Sequence, residues 1–266
     1  MRTFRLSLKF YGATVKSMLE YRLTTLIDIS IMIINFSVGY LSTWVLLSKF
    51  QSIPGWTLYE VFLLFNINMV ASGISGLFFS EPMRTMEQMV QKGEFDMVLI
   101  RPMNTLIFTL LGRPNFSSIA SLILGAGVFV LCFTHLAIQI TVLKIVFLLV
   151  AILGAALIQS AILVIVGTIS FWVVKNTATY SLLTCFNNFI DYPITIYTKL
   201  IQVFLTFVIP FAFVNFYPAH YFLDKTGNDL FFPLIQYGTP VVGVVLFFVA
   251  YQFWKIGVNK YESTGS

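Results

Sequence analysis

Several long apolar runs, each long enough to cross a lipid bilayer, constrain this chain more than any other feature of its sequence. Only 10% of the residues are charged, 58% are hydrophobic and the mean hydropathy is +0.88. This composition predicts an all-α polytopic membrane protein and leaves no room for a soluble domain of useful size.

The apolar runs predict six membrane spans, at about 23–47, 57–80, 116–133, 142–172, 176–190 and 237–254. A further apolar stretch, Leu200 to Phe216, is interrupted by Pro210 and either crosses the membrane or dips into its outer leaflet and returns. Six spans with a re-entrant outer segment over 192–222 place most of the 16 basic residues inside, as the positive-inside rule favours. Both termini are then predicted to be cytoplasmic.

Residues 1–22 are predicted to form an amphipathic helix that lies in the membrane interface. Apolar side chains share one arc of this helix, and basic side chains fall on another, at Arg2, Arg5, Lys9 and Lys16. Anionic lipids of the cytoplasmic leaflet would attract these basic residues and hold the helix inside. The sequence shows no removable signal peptide, so the first span is expected to stay in the protein as a membrane anchor. Residues 23–266 are expected to form the six-span domain.

The segment from Glu81 to Pro102 is the longest charged run and lies between the second and third predicted spans. Its first half is predicted to be a short amphipathic helix that opens near Pro82 and ends at Gly93. The apolar face of this helix consists of Met83, Met86, Met89 and Val90. Methionine is flexible and polarizable, which suits a surface that binds a moving partner. The alternative interpretation is a solvated loop between two spans.

Polar and small residues inside the predicted spans are candidates for a cavity wall. Asn66, Met69 and Gly73 of the second span either pack against another helix or line a wet or amphiphilic cavity, and both interpretations stay open. The fifth span carries Thr184, Asn187 and Asn188.

Asp28 and Asn35 of the first span lie seven residues apart and therefore share one helix face, which should face protein. Asp28 either belongs to a translocation path or pairs with a basic residue such as Arg22.

Side chains that could act in catalysis or bind a metal are scattered. Cys132 and Cys185 lie inside or at the ends of apolar stretches and form neither a metal-ligand pattern nor an evident disulfide pair. His135 and His220 stand apart near the predicted outer surface, without acids at metal-ligand spacing. These patterns argue against a membrane enzyme, and the sequence contains no G-x-x-x-x-G-K-[ST] phosphate loop.

Two stretches resemble permeases of the type-2 ABC exporter superfamily. The stretch from Lys92 to Pro102, continuing to Arg113, is similar to the segment that follows the coupling helix in that family. The stretch from Tyr192 to Pro210 is similar to the family's outer segment between the fifth and sixth spans. The order of elements matches over nearly the whole chain, which looks most like a compact bacterial subgroup. It differs from the common pattern in having Glu94-Phe95-Asp96 where a Thr-Leu-Glu type triplet is usual.

The resemblance implies a permease subunit that is not itself an enzyme and borrows a separate ATPase. In the family, two ATPase subunits, which bind ATP and Mg, dock on the coupling helices of two identical or related permeases. The implied coupling residues here are Met83, Arg84, Met86, Glu87, Met89, Val90, Lys92, Glu94 and Asp96. The implied substrate path lies between the permeases, along the second and fifth spans, with Asn66, Met69, Gly73, Thr184, Asn187 and Asn188 as candidates.

The expected function is ATP-driven export of a hydrophobic or amphiphilic substrate across a bacterial plasma membrane, from the cytoplasm or the inner leaflet. Expected partners are the ATPases, a second permease and membrane lipids, with no nucleic acid and no cofactor on the chain itself. The alternative is a self-contained secondary carrier or channel. Secondary carriers usually show internal repeats and intramembrane charges, whereas this sequence shows no convincing repeat and, apart from charges within four residues of a span end, only Asp28 within a span.

Overall fold

Five helices in the computed structural model are long and apolar enough to cross a membrane. The structure describes Gly12 and residues 22–49, 53, 55–136, 138, 141–173, 175–225, 231 and 233–262. This described part is helical and contains no strand, which confirms the predicted all-α polytopic class. The predicted interfacial helix over 1–22 lies outside the described residues, apart from Gly12 and Arg22.

The described chain begins with α1 (Arg22–Lys49) and α2 (Leu58–Ser75), and α2 continues through a π-helical turn at Gly76–Ser80. Four short helices follow, α3 (Glu81–Arg84), α4 (Met86–Gln91), α5 (Asp96–Leu99) and α6 (Thr105–Gly112). Two long helices come next, α7 (Ser118–His135) and α8 (Val142–Ile169). The chain ends with α9 (Thr177–Asn188), α10 (Lys199–Val203), α11 (Phe216–Phe222) and α12 (Thr239–Lys260).

Helices α2 and α7 pack against each other in opposite directions. Near the start of α2, the ring of Tyr59 stacks on His135 at the end of α7, with 4.3 Å between the ring centroids. Near the end of α2, Gly73 lies against Ser121, close to the start of α7. A Cβ atom on Gly73 would lie 2.2 Å from the Ser121 hydroxyl oxygen, so the missing side chain lets the two helices approach closely.

Helices α2 and α8 run in the same direction. Gln159 Nε2 donates a 2.8 Å hydrogen bond to Asn68 Oδ1, and further along both helices Met83 packs on Gly167. The helix Leu58–Gln91 that contains α2 has 34 residues and is therefore about 51 Å long. A hydrocarbon core is only about 30 Å thick, so the charged end of this helix from Glu81 onward lies outside the membrane-spanning part.

Helix α12 also runs parallel to α8. Gly243 touches the backbone of Gly154, and fourteen residues later in each helix Gly257 packs on Thr168. Because α8 and α12 point the same way, the chain between them has to return once through the bundle.

The return crossing starts and ends beside the two ends of the helix Leu58–Gln91. It starts at Thr177, whose backbone N–H donates a 2.9 Å hydrogen bond to Glu87 Oε2. It ends at Lys225, whose ammonium nitrogen lies 3.0 Å from Glu60 Oε2 near the start of α2. Residues 177–225 therefore make one net crossing.

This crossing is broken into α9 and a pair of segments, Lys199–Val208 and Phe211–Phe222, that are bent by 80°. The bend falls at Pro210, where proline removes a backbone donor. Because α9 and the bent pair share one return through the bundle, the pair adds no seventh crossing. Together with the five long apolar helices, this arrangement agrees with the six crossings predicted.

The predicted fifth span, 176–190, is shorter than expected. Helix α9 has 12 residues, so it is about 18 Å long and does not cross a core of about 30 Å. The prediction that Asp191 lies at the far side of the membrane is wrong, because Asp191 Oδ1 accepts a 3.2 Å hydrogen bond from Asn68 in the middle of α2.

Aromatic and charged side chains close the end of the bundle where α2 begins. The Lys225 ammonium group lies 4.4 Å from the centre of the Trp56 ring, in addition to its contact with Glu60. Lys144 in the first turn of α8 pairs with Asp224, just after α11. These contacts fasten α11 to the starts of α2 and α8.

The opposite end of the bundle carries segment 81–102 and both ends of the described chain. The start of α1 borders a cleft together with Arg84. Just beyond α12, the ring of Tyr261 packs edge-on against Phe95, with 5.2 Å between centroids. The two ends of the described chain therefore lie on the same side as segment 81–102; that this side is cytoplasmic stays a prediction.

Candidate transport cleft and coupling segment

A cleft of about 880 Å³ opens between α1, α2 and α9, at the end of the bundle that carries segment 81–102. The turn before α7, at 114–118, forms another side of this α1/α9 cleft. Its walls combine apolar side chains with polar ones, which include Asp28, Asn35, Ser72, Ser80, Asn115, Tyr180 and Thr184. Mixed walls of this kind suit an amphiphilic molecule.

The polar residues of α9 lie at the cleft only in part. Thr184 lines the α1/α9 cleft and also a smaller cavity of about 160 Å³ between α9 and helices α2 and α8. Asn187 lines the smaller cavity. Asn188 is exposed and lines neither of these two cavities.

The second-span candidates are packing residues in this structure. Asn66 is fully buried, accepts a 2.9 Å hydrogen bond from the Tyr40 hydroxyl and donates one of 3.0 Å to the Gly125 carbonyl. Met69 is buried beside Tyr40, and Gly73 is covered by α7. The expectation that these three residues line the path is therefore corrected, because they hold α1 and α7 against α2.

A different face of the same helix lines the cleft. Ser72, Gly76 and Ser80 recur at intervals of four residues and border the α1/α9 cleft together. The sequence contains this spacing, but it does not indicate which of the two faces meets another helix.

Asp28 and Asn35 of α1 both face the cleft, as their spacing predicts. The proposed pairing of Asp28 with Arg22 concerns a side chain outside the described part of the structure. The other charged residues on the cleft wall are Glu81 and Arg84, which form an ion pair with 2.7 Å between Oε2 and Nη2. Asp28 therefore leaves the described wall with a net negative charge.

The methionine face of segment 81–102 points into the protein. Met83 and Met86 are 2% and 0% exposed, and they pack in a cluster with Phe95, Val98 and Trp254. Met89 and Val90 are partly buried against the same cluster. The expectation that this face forms the contact core of an ATPase interface is corrected by this burial, because the chain's own helices already cover Met83 and Met86.

The accessible surface of the segment carries both polar and apolar side chains, and Met97, Leu99 and Ile100 are its exposed apolar residues. Arg84, Gln88, Gln91, Lys92 and Glu94 are exposed. Glu94 Oε2 lies 3.4 Å from Arg113 Nη2, and Asp96 begins α5. A partner that docks on this end of the bundle meets these groups first, and their role in coupling stays a prediction.

Gly93 ends the helix of the segment where the sequence predicts. Its φ of 68° lies in the left-handed region, which costs glycine little. The chain then turns back, so that the Phe95 backbone N–H donates a 3.2 Å hydrogen bond to the Met89 carbonyl. This turn brings the Phe95 ring into the interior, against Phe171 and Trp254.

Glu87 connects the segment to α9. Its Oε2 atom accepts hydrogen bonds from the backbone N–H groups of Asn176 (2.7 Å) and Thr177 (2.9 Å) and from the Thr177 hydroxyl (2.9 Å). The Asn176 N–H, followed by the Thr177 hydroxyl, holds the pKa of the Glu87 carboxyl below its ordinary value. Glu87 therefore acts as the N-terminal cap of α9, although it lies far from this helix in the sequence.

Comparison with known proteins supports the resemblance found in the sequence. The profile of the family described as ABC-2 family transporter protein matches residues 33–265, which contain α2 to α12 and the whole of segment 81–102. Searches of the curated proteins and of the solved structures found no match. A match over most of the chain shows that this protein belongs to the ABC-2 family of transporter proteins.

Proposed function

We propose that this chain exports hydrophobic or amphiphilic molecules through the α1/α9 cleft, driven by a separate ATPase. Membership of the ABC-2 family makes the chain a multi-pass membrane permease subunit of an ABC transporter, which partners an ATPase subunit and is not itself the ATPase. Export, the kind of substrate and the use of ATP are the further steps of the proposal.

The observation that carries the proposal is the continuity between the cleft and segment 81–102. Glu81 and Arg84 belong to this segment, and both also line the cleft. Movement of the segment by a docked ATPase would therefore move part of the cleft wall directly.

The walls of the cleft support an amphiphilic substrate. Hydroxyl and amide groups would bind a polar head, whereas Ile31, Met32 and Phe116 offer apolar surface. The net negative charge from Asp28 would favour a cationic head over an anionic one.

The proposed assembly contains two permeases and two ATPases that carry ATP and Mg. Only 6% of the residues in the most apolar stretch of α1 are buried. Most of the surface of this helix is therefore available to lipid or to a second permease. The basic residues at the end of the bundle that carries segment 81–102 support a cytoplasmic location for this end, in a bacterial plasma membrane.

The test is to purify the tagged chain from its own membranes, identify any ATPase that co-purifies and reconstitute the complex in liposomes. ATP turnover and efflux of rhodamine 6G, a fluorescent amphiphilic cation, are then measured together. We expect Thr184→Leu to lower dye-stimulated ATP turnover and efflux several-fold, because a larger apolar side chain enters the cleft wall.

The matched control is Cys185→Leu, which places the same side chain at the next, exposed position of α9, away from the cleft. Equal activity of the two variants would contradict the proposed path. Dye transport by the chain without any ATPase would instead support the alternative, a self-contained carrier or channel.

A further inference from the structure

Helix α9 is attached to the rest of the bundle chiefly through its two ends. At its start, Glu87 accepts the three hydrogen bonds from Asn176 and Thr177. Just past its end, Asp191 accepts the hydrogen bond from Asn68, which in turn accepts one from Gln159 on α8. Asn68 and Glu87 lie on opposite sides of the π-helical turn at Gly76–Ser80, so the two ends of α9 are held by different parts of the stretch Leu58–Gln91.

The middle of α9 has little packing of its own. None of its residues is buried, and Leu183 and Phe186 pack against the core only while staying partly exposed. The α1/α9 cleft lies on one side of it and the cavity of about 160 Å³ on another, and Tyr180 and Thr184 line both. A helix with open space on two sides can shift without breaking a packed core, because few apolar contacts oppose the movement.

The hydrogen bonds at the start of α9 are stronger than neutral ones, because their acceptor is a charged carboxylate. Glu87 presents a carboxylate to two backbone N–H groups at a helix N-terminus, where both charge assistance and the helix dipole favour a negative group. Asn176 is itself buried and donates a 3.0 Å hydrogen bond to Ser170, just after α8. The first turn of α9 is therefore held between segment 81–102 and the end of α8.

We infer that Glu87 is a positioning residue that carries movement of segment 81–102 to α9 and so sets the width of the α1/α9 cleft. This inference rests on the proposed function, in which an ATPase moves the segment. A displacement of Glu87 pulls the first turn of α9 with it, and Tyr180 and Thr184 move because they lie on the same short helix. The attachment through Asp191 at the other end serves as the pivot.

The test measures distances by pulsed electron paramagnetic resonance on the full chain in lipid nanodiscs, with Cys132 and Cys185 replaced by alanine. One spin-label pair joins Ser181 on α9 to Val130 on α7. A second pair joins Gln91 on the segment to Val130. All of these label sites are exposed. Each pair is measured for the chain alone and for the complex with its co-purified ATPase, with and without ATP and Mg.

For the chain alone, Glu87→Ala is expected to shift or broaden the Ser181 distance and leave the Gln91 distance unchanged. Glu87→Gln keeps an acceptor oxygen but loses the charge, so its distance should fall between those of the parent and Glu87→Ala. Thr177→Val, which removes only the hydroxyl donor, should also give a smaller change in the same direction. The matched control is Gln88→Ala, at the neighbouring exposed position. An unchanged Ser181 distance in a monodisperse Glu87→Ala sample would overturn the inference.

In the complex, ATP is expected to shift both distances in the parent but only the Gln91 distance in Glu87→Ala. A Ser181 distance that still follows ATP in Glu87→Ala would also overturn the inference. If ATP moves neither pair in the parent while Glu87→Ala still alters α9 in the chain alone, the ATP-driven function fails and the positioning role of Glu87 is supported.

Discussion

Gly243 lies against the main chain of Gly154, so close that a Cβ atom on Gly243 would sit 2.4 Å from the Gly154 carbonyl oxygen. The neighbouring atoms are backbone and cannot rotate away. Gly243→Val should therefore separate α8 and α12 and lower the free energy of unfolding by about 1–3 kcal/mol. Thermal unfolding in detergent measures the loss. The control Gly127→Val adds the same side chain on α7, where nothing lies within 4 Å of a new Cβ atom, and an equal loss there would contradict the explanation.

Met86→Asp tests the corrected view of segment 81–102. Met86 is 0% exposed, so the new carboxylate would be buried without a partner and should destabilise the permease itself by about 3 kcal/mol or more. Gln88→Asp adds the same group at an exposed position and should fold normally. Size-exclusion profiles and thermal unfolding compare the two variants. A stable Met86→Asp chain that only loses its ATPase would restore the original interpretation, in which the methionine face is the docking core.

Asn66→Leu separates packing from a role in the substrate path. The variant loses the hydrogen bonds to Tyr40 and Gly125, each of which contributes about 0.6 kcal/mol on average in a membrane. We expect a modest drop in thermal stability and a smaller one for Tyr40→Phe, which removes a single bond. Dye-stimulated ATP turnover per folded complex should stay near the parent value. If a stable Asn66→Leu complex selectively loses its response to the dye, Asn66 lines the substrate path and the packing explanation is wrong.

The six crossings predict which sites share a side of the membrane. Cysteines at Gln91 and Glu262 should react with a membrane-impermeant maleimide from one side, and a cysteine at Lys49 from the other, because the first two lie at the end of the bundle with segment 81–102. All three positions are exposed. Labelling of intact cells and of inverted vesicles, in a chain with Cys132 and Cys185 replaced, measures the sidedness. Equal accessibility of Gln91 and Lys49 from one side would refute the six-crossing arrangement.

The sequence alone predicts the features that depend on local pattern. The lengths of the apolar runs locate the spans. Gly93 locates the end of a helix, because the chain there needs a residue in the left-handed backbone conformation, which glycine adopts readily. The apolar face of an amphipathic helix, by contrast, looks the same whether it binds a partner or its own core. Met86 was therefore predicted to face outward and is buried instead.

Contacts between distant residues explain most of what the sequence did not predict. Glu87 and Thr177 are 90 residues apart, and neither residue type nor local spacing indicates that one caps the helix of the other. Similarly, the spacing of Asn66 and Ser72 shows that they point in different directions from α2, but only the position of α7 decides which of them is covered.

Helix α1 makes the α1/α9 cleft sensitive to the thickness of the bilayer. With 28 residues it is about 42 Å long, whereas the hydrocarbon core is about 30 Å thick, so it has to tilt or extend beyond the core. Its contacts with α2 gather in its second half, where Gly39 meets Phe65 and Tyr40 meets Asn66. No residue from Leu23 to Phe36, the half that carries Asp28, is buried, so few packed contacts oppose a change in its tilt as lipid tails lengthen or shorten. Lipid chain length therefore becomes a determinant of the space available to a substrate, independently of any residue in the cleft.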